Sequence, residues 1–299
     1  MFHEASEYSR GRYDLMDPIR VGIVRFLNTT PLVDGLEKLP QLALTPVVPS
    51  RLAGMLRGGE VDLALVSVID AARSGTGGSG TFSMLSCGMI GCDGPTLTVR
   101  VFSAVPPDQV TTLAADTDSH TSIALAQVIL KRVYGRSVKV VPFDARERVA
   151  RGGEPDQHEW PETLLMIGDK VVTDSPPAVR YPYQLDLGEE WKKLTGLPFV
   201  YAIWMCRSAD VETAAQRERL SVATALLDRQ LRHNLTRMDR IILEKASEFR
   251  WPPDLARKYL GELLRYRVGD REREAVRRFF AECVSADLIA SAEARFVEM

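Results

Sequence analysis

Residues 20–68 read RVGIVRFLNTTPLVDGLEKLPQLALTPVVPSRLAGMLRGGEVDLALVSV, and the fold class follows from this stretch. Arg20–Phe26 is a short β-branched run, which predicts a strand. It breaks at the polar turn Leu27-Asn28-Thr29-Thr30-Pro31, where Pro31 is placed to open a helix in its first turn. Leu32, Val33 and Leu36 then recur at helical spacing. Leu42–Val48 predicts a second strand, and Ser50 stands as an N-cap before the apolar stripe Leu52, Met55 and Leu56. Gly58-Gly59 stop that helix, and Val61–Val68 follows at once as a buried strand. Strand, helix and strand with short connections make a βαβ unit, which predicts a parallel sheet.

The pattern repeats further along. Val110–Ala115 predicts a strand, Asp116–Ser122 a polar turn, and an amphipathic helix runs to Tyr134, closed by Gly135. Val138–Val141 and Leu164–Ile167 predict two more strands, the second ended by Gly168-Asp169. Residues 149–161 are polar and loop-like, and Ser74–Gly80 (SGTGGSG) reads as a flexible surface loop. Thr98–Phe102 and Phe199–Met205 are extended and separate the two strand-helix regions, so each is expected to cross between them. Thr195-Gly196-Leu197-Pro198 flanks the second crossing, where Gly196 can absorb a backbone change and Pro198 stiffens the strand start.

After Arg207 the chain turns helical. Leu220, Ala223, Leu227, Leu231, Leu235, Met238, Ile241 and Ile242 form one apolar stripe, ended by Pro252-Pro253. A short helix to Leu264 and a last one from Asp270 through Cys283 follow. Two α/β regions joined by two crossovers predict a bilobed α/β protein with a ligand cleft at the hinge, its site residues at the carboxyl ends of strands. The expected organisation is a tail at 1–17, a first lobe built from 18–102 and 200–299, and a second lobe at 103–199.

The charge balance narrows the function. Lys+Arg number 38 against 40 Asp+Glu, a net charge of −2. From Arg207 onward there are 18 cations and 16 acids, so neither half carries the basic footprint of a nucleic-acid binder. With 45% apolar and 26% charged residues the composition is that of an ordinary globular chain. No apolar run is long enough to span a membrane, and the first 17 residues hold no hydrophobic segment of the secretory kind; a cytoplasmic protein is expected. Cys87 and Cys92, separated by four residues, have no His or second Cys pair at zinc-site spacing, and the four cysteines read as plain thiols.

The turn Asp116–Ser122 carries the most chemistry. Ser119, Thr121 and Ser122 surround a helix start, where unpaired N–H groups and the helix dipole favour a carboxylate or phosphate. His120 could add a positive charge or a proton donor. From the residues alone, Ser119 as a plain N-cap and Asn28 as a plain turn residue are the stronger readings. No nucleophile elbow, Walker loop, paired-carboxylate motif or metal cluster is present. Such a site suits a small polyanion that needs orientation and charge stabilisation, with no cofactor and no metal.

At these same positions the chain resembles a known family. RFLNTTPL (25–32), GCDGPTLTV (91–99), DTDSHTS (116–122), LLMIGD (164–169) and DLGEEWKKLTGLPFVYAIW (186–204) are similar, in order and spacing, to the chorismate dehydratases of the futalosine route to menaquinone. The resemblance implies the two-lobed fold of the type 2 periplasmic binding proteins, with two crossover hinge strands. It also implies a hydro-lyase that removes water from chorismate to give 3-(enolpyruvyloxy)benzoate. By resemblance Asn28 and Thr98 are the catalytic positions, and Thr29, Ser119, His120, Thr121, Ser122, Gly168 and Asp169 surround the substrate. Two positions depart from the family pattern: Thr98 stands where a Ser is usual, and His120 where an Arg is usual. The substrate is the one partner expected, with no nucleic acid or membrane, and a homodimer is allowed. The rival readings are a dihydroxynaphthoate synthase of the same pathway, which shares the fold, a small-anion-binding protein without catalysis, and a solute receptor.

Overall fold

The computed structural model describes residues 17–73, 81–143 and 160–299. The glycine-rich stretch 74–80, most of the polar stretch 149–161 and nearly all of the tail lie outside the described residues. Two sheets organise the rest. The first holds strands β1 (Ile19–Ile23), β2 (Leu42–Pro46), β3 (Leu63–Ser67) and β4 (Phe82–Cys92). The second holds β5 (Val99–Ser103), β6 (Thr112–Asp116), β7 (Lys139–Phe143), β8 (Thr163–Ile167) and β9 (Tyr183–Asp186). The chain then returns to the first sheet with β10 (Phe199–Arg207), β11 (Leu264–Arg265) and β12 (Phe296–Val297).

In the first sheet the order is β11-β4-β10-β3-β1-β2, with β12 also on β4; in the second it is β7-β6-β8-β5-β9. The βαβ reading of residues 20–68 is what the structure contains: β1 pairs parallel with both β2 and β3, and β6 likewise with β7 and β8. In the first sheet β10 runs against both β3 and β4, and the short β11 runs against β4; in the second β5 runs against both β8 and β9. Parallel strands of both lobes end at the cleft. A strand that arrives from the other lobe must therefore start at the cleft and run away from it.

The crossings lie a few residues before the segments expected to make them. Thr98–Phe102 falls almost wholly in β5 and Phe199–Met205 wholly in β10, each inside one sheet. The backbone N–H and C=O groups of a strand need partners, and a sheet supplies them. The passage between lobes is left to residues 93–98 and to 187–198, which include helix α6, defined below. The sequence boundary at 102/103 thus falls inside β5, and that at 199/200 falls at the start of β10.

Helices cover the sheets. The turn after β1 is a 3-10 turn at Leu27–Thr29 followed by α1 (Thr30–Val33), with Pro31 in its first turn. Helix α2 (Pro49–Arg57) starts with Pro49 in its first turn and Val48 as cap residue; Ser50 does not cap it, because the fixed φ of Pro49 already meets the helix one residue earlier. Next come α3 (Ile69–Arg73), α4 (His120–Tyr134), α5 (Lys170–Thr173) and α6 (Leu187–Thr195). The C-terminal stripe is divided between α7 (Ala214–Leu235) and α8 (Met238–Lys245) instead of one helix. Buried Asn234 explains the break: its Nδ2 donates to the carbonyls of Pro31 at 3.1 Å and Asp34 at 2.8 Å, which pins the end of α7 to α1. A five-residue helix α9 (Pro253–Arg257) runs into a π-helical turn at Lys258–Leu263, and α10 (Asp270–Ser285) closes the chain behind the hinge. No described helix is long and apolar enough to cross a membrane.

Strand β4 is absent from the sequence reading because Gly88 interrupts FSMLSCGMIGC, and glycine counts against a strand interior. Packing accounts for it: a Cβ at Gly88 would stand 2.7 Å from Leu32 Cδ2 and 3.2 Å from the Trp204 ring nitrogen. Behind the hinge Trp191 of α6 meets Phe199 at 5.3 Å and Phe279 of α10 at 5.9 Å between ring centres, both edge to face. The indole N–H of Trp191 donates to the Pro198 carbonyl at 2.9 Å.

Both crossings are tied to one buried carboxylate. Asp186 Oδ1 accepts the N–H groups of Thr96 at 2.9 Å, Gly188 at 3.1 Å and Glu189 at 3.2 Å, and its Oδ2 accepts that of Leu97 at 2.7 Å. Leu97 needs such a hold, since its φ is +74°, a region that branched side chains rarely occupy. Gly188 lets the two crossings touch: a methyl there would collide with Thr96 Oγ1 and lie 2.6 Å from Cys92 Sγ and the Gly94 carbonyl oxygen. Gly188→Ala should therefore destabilise the protein by about 3 kcal/mol, the upper range for an added methyl in a packed core. Urea unfolding checks it, and an unchanged midpoint contradicts the close contact.

Candidate active site

A cleft opens between the sheets where the parallel strands end. It contains about 620 Å³ of empty space including its mouth, within the usual range for a small-molecule site. The first lobe contributes Asn28, Thr29, Ser67, Tyr201 and Tyr259 to its walls; the second contributes Thr98, Ser119, Ser122 and Gly168. Of its described lining residues, Asp118 alone bears a carboxylate and none is Lys or Arg. Asp118 Oδ2 is engaged by Lys170 Nζ at 3.1 Å, and the same ammonium pairs with Asp116. Burial pushes the Asp116 carboxyl up and Lys170 pulls it back.

The sequence-derived residues separate into two groups. Asn28, Thr29, Thr98, Ser119, Ser122 and Gly168 line the cleft; His120, Thr121 and Asp169 do not, and they hold the lobes together. His120 Nδ1 lies 2.9 Å from both oxygens of Asp70, in α3 of the opposite lobe. The buried Thr121 hydroxyl accepts the Ile69 N–H at 3.3 Å. Asp169 Oδ2 accepts the N–H of Leu27 at 3.1 Å, and its Oδ1 accepts the indole N–H of Trp251 at 3.0 Å. Burial raises the Asp169 carboxyl, and these two donors work against that rise.

Thr29 is committed to its own turn. Its Oγ1 lies 2.8 Å from the carbonyls of Val24 and Phe26 and accepts the N–H of Phe26 at 3.3 Å. That turn aims the neighbouring Asn28 into the cleft. Ser119 caps α4 through Oγ, which accepts the Ser122 N–H at 3.2 Å and meets Ser122 Oγ at 2.9 Å. The first-turn N–H groups of a helix have no acceptor within the helix, so the start of α4 presents main-chain donors and two hydroxyls to the cleft.

Across from it lies a group that the sequence only half revealed. Thr98 Oγ1 is 2.6 Å from the hydroxyl of Tyr259. Tyr259 is fully buried and belongs to the π-helical turn, a distortion that recurs at functional sites. Its ring stacks on Trp251 with centres 4.8 Å apart and planes 9° from parallel. Tyr201, whose phenol burial holds protonated, shares a 2.6 Å hydrogen bond with Thr96 Oγ1. Neither tyrosine has a local sequence signal: Tyr201 sits in the apolar run FVYAIWM, and Tyr259 in the mixed helical stretch ARKYLGELL. A π-turn needs the coordinates to be seen.

Chemically, the site offers neutral donors and acceptors at fixed positions, anion-binding N–H groups on one wall, and no free cation or base among its described lining residues. Such a site can hold a small carboxylate-bearing ligand and stabilise charge that develops on it.

A family model described as menaquinone biosynthesis matches residues 19–285. The chain is 26% identical over 278 residues to the chorismate dehydratase of Thermus thermophilus, spanning 88% of this chain and 94% of that protein. Its fold is similar to that of a protein from Archaeoglobus fulgidus, with a TM-score of 0.68, 13% identity and coverage of 91% and 98% of the two chains. The alkanesulfonate-binding protein SsuA of Xanthomonas axonopodis pv. citri gives 0.60 at 13% identity, covering 94% and 98%. A Candida albicans gene product described as having the generic periplasmic binding protein fold gives 0.64 at 13% identity, covering 93% and 92%. At such identities these structures bear on the fold alone, which is the two-lobed periplasmic-binding-protein type. Matched from the first strand to the last helix, the chain belongs to the menaquinone biosynthesis family.

Proposed function

We propose that this protein is a chorismate dehydratase, converting chorismate to 3-(enolpyruvyloxy)benzoate and water in the cytoplasm, without a cofactor. The observation that carries the reading is that Asn28, Thr98 and the start of α4 line one cleft, in a chain of this family. The substrate brings the driving force. The hydrogen on the ring carbon bearing the enolpyruvyl ether is acidified through the ring diene and its carboxylate. That C–H bond breaks, its electron pair becomes a ring π bond, and the neighbouring C–O bond breaks as the ring becomes aromatic. Hydroxide leaves with one proton as water, so the atoms balance.

The protein has to orient the ring and stabilise the transient dienolate. Asp118 is engaged by Lys170, and a carboxylate of the substrate takes the proton. The start of α4 holds the substrate's negative charge through N–H groups and the hydroxyls of Ser119 and Ser122. Asp169 acts one step back: it holds the N–H of Leu27, next to Asn28, and the indole of Trp251. Contacts of Asp169, His120 and Thr121 across the cleft keep water away from the reacting atoms, which strengthens each hydrogen bond to the dienolate.

Purified protein mixed with chorismate should yield an aromatic product lighter by one water, detected by mass spectrometry. Binding of chorismate without turnover would assign the chain to anion binding instead. Asn28→Ala should lower kcat by about 10²–10³, the usual loss for one oriented group in such a site, while the circular dichroism spectrum stays unchanged. Ser119→Ala should raise KM severalfold and leave kcat within about twofold, because a carboxylate contact binds ground and transition states alike. Steady-state kinetics on the two variants separates these roles; the reverse pattern would exchange them.

A further inference from the structure

We propose that Asp70 is a positioning residue: by holding His120 across the lobes it sets where the start of α4 stands relative to the turn that carries Asn28. Each lobe has its own sheet, so the separation of cleft residues from different lobes depends on contacts between the lobes. Asn28 follows β1 in the first lobe, and Ser119 and Ser122 belong to the start of α4 in the second. His120 and Thr121 lie between those two serines and meet the first lobe. His120 Nδ1 is 2.9 Å from each oxygen of Asp70. A carboxylate only accepts, so the imidazole N–H donates to it. Beside it the Thr121 hydroxyl accepts the Ile69 N–H at 3.3 Å. Two successive residues of α3 thus grip two successive residues of α4, and the gripped pair sits between two residues that line the cleft.

The path from Asp70 back to Asn28 is short and well paired. Helix α3 follows β3 after one residue, Val68, whose N–H donates to the Tyr201 carbonyl of β10 at 3.0 Å. Strand β3 in turn pairs with β1, which leads into the turn of Asn28. Asp70 and Thr121 are buried, and His120 is partly exposed. The other fastening described above, from Asp169 to Leu27 and Trp251, leaves the second lobe from the end of β8 and does not involve α4. Removing the Asp70 carboxylate therefore leaves Asp169 in place and weakens the hold on α4. A ligand must then close the cleft from a population that is more often open. Its apparent affinity falls by the fraction still closed, while the chemistry within the closed complex is unchanged. The loss falls on KM.

The kinetic consequence rests on the dehydratase reading; the fastening itself does not. Asp70→Ala should raise KM for chorismate about tenfold with kcat within about threefold. His120→Ala removes the same bond from its more exposed side and should raise KM to a similar extent. In the His120→Ala background, Asp70→Ala should add less than about twofold, because the two groups act as one unit. An unchanged KM, or an equal rise in both backgrounds, would overturn the proposal, since a role confined to α3 keeps its full effect without His120. A second readout needs no substrate. Val133 of α4 and Leu243 of α8 are exposed in the two lobes, and the four native cysteines are buried, so spin labels go on Val133→Cys and Leu243→Cys. Double electron–electron resonance should give one narrow distance, which broadens when Asp70→Ala is added. An identical distribution with and without Asp70 would overturn the proposal. If the protein with Asp70 intact leaves chorismate untouched, the dehydratase reading fails and the label distances still decide the fastening.

Discussion

The Asp186 carboxylate is the constraint on which the two-lobed arrangement rests. The chain passes between lobes twice, and each passage exposes main-chain N–H groups that neither sheet can pair. One buried side chain takes four of them, two from residues 96–97 and two from the start of α6. Charge-assisted bonds of this kind are roughly twice as strong as neutral ones. They hold Leu97 in a left-handed conformation and bring Gly188 against Gly94. Thr98 follows directly after Leu97, so the position of a cleft hydroxyl is inherited from this anchor. The aromatic packing of Trp191, Phe199 and Phe279 then backs the second passage from behind.

A second carboxylate, Asp169, does for the cleft what Asp186 does for the hinge. It reaches from one lobe to the turn that carries Asn28 and to the indole that supports Tyr259. Placing charge on such supporting groups, and leaving the described lining neutral apart from Asp118, has a physical logic. A Lys or Arg in contact with an anion would bind the ground state strongly whether or not charge moves during the reaction. Oriented hydroxyls, amides and helix N–H groups respond to where the charge develops. His120 fits this scheme: it pairs with Asp70 across the lobes.

Much of the architecture is legible in the one-dimensional pattern. The alternation of apolar strands with capped, glycine-stopped helices in residues 20–68 and 110–141 is strong because local chemistry and tertiary packing agree there. It weakens where packing overrides local preference. Gly88 sits inside β4 because Leu32 and Trp204 fill the space that its side chain would occupy. The C-terminal stripe continues past residue 235 on the helical wheel, yet buried Asn234 binds carbonyls of α1 and ends the helix there. Neither effect is present in a window of neighbouring residues.

For the site the division is similar. By itself the sequence determined that the chain alternates strands and helices, that polar turns close those strands, and which turn residues offer amide, hydroxyl and helix-start chemistry, since these depend on residues a few positions apart. Only the tertiary structure decided which of those residues face the cleft and which fasten it. Ser119 and Thr121 are two positions apart and chemically alike, but one lines the cleft and the other is buried against Ile69 of the opposite lobe. Tyr259 lies 161 residues from Thr98 and meets it at hydrogen-bond distance. The reason is geometric: the direction of a side chain is set by its backbone, but what it meets there depends on how two distant lobes close on each other.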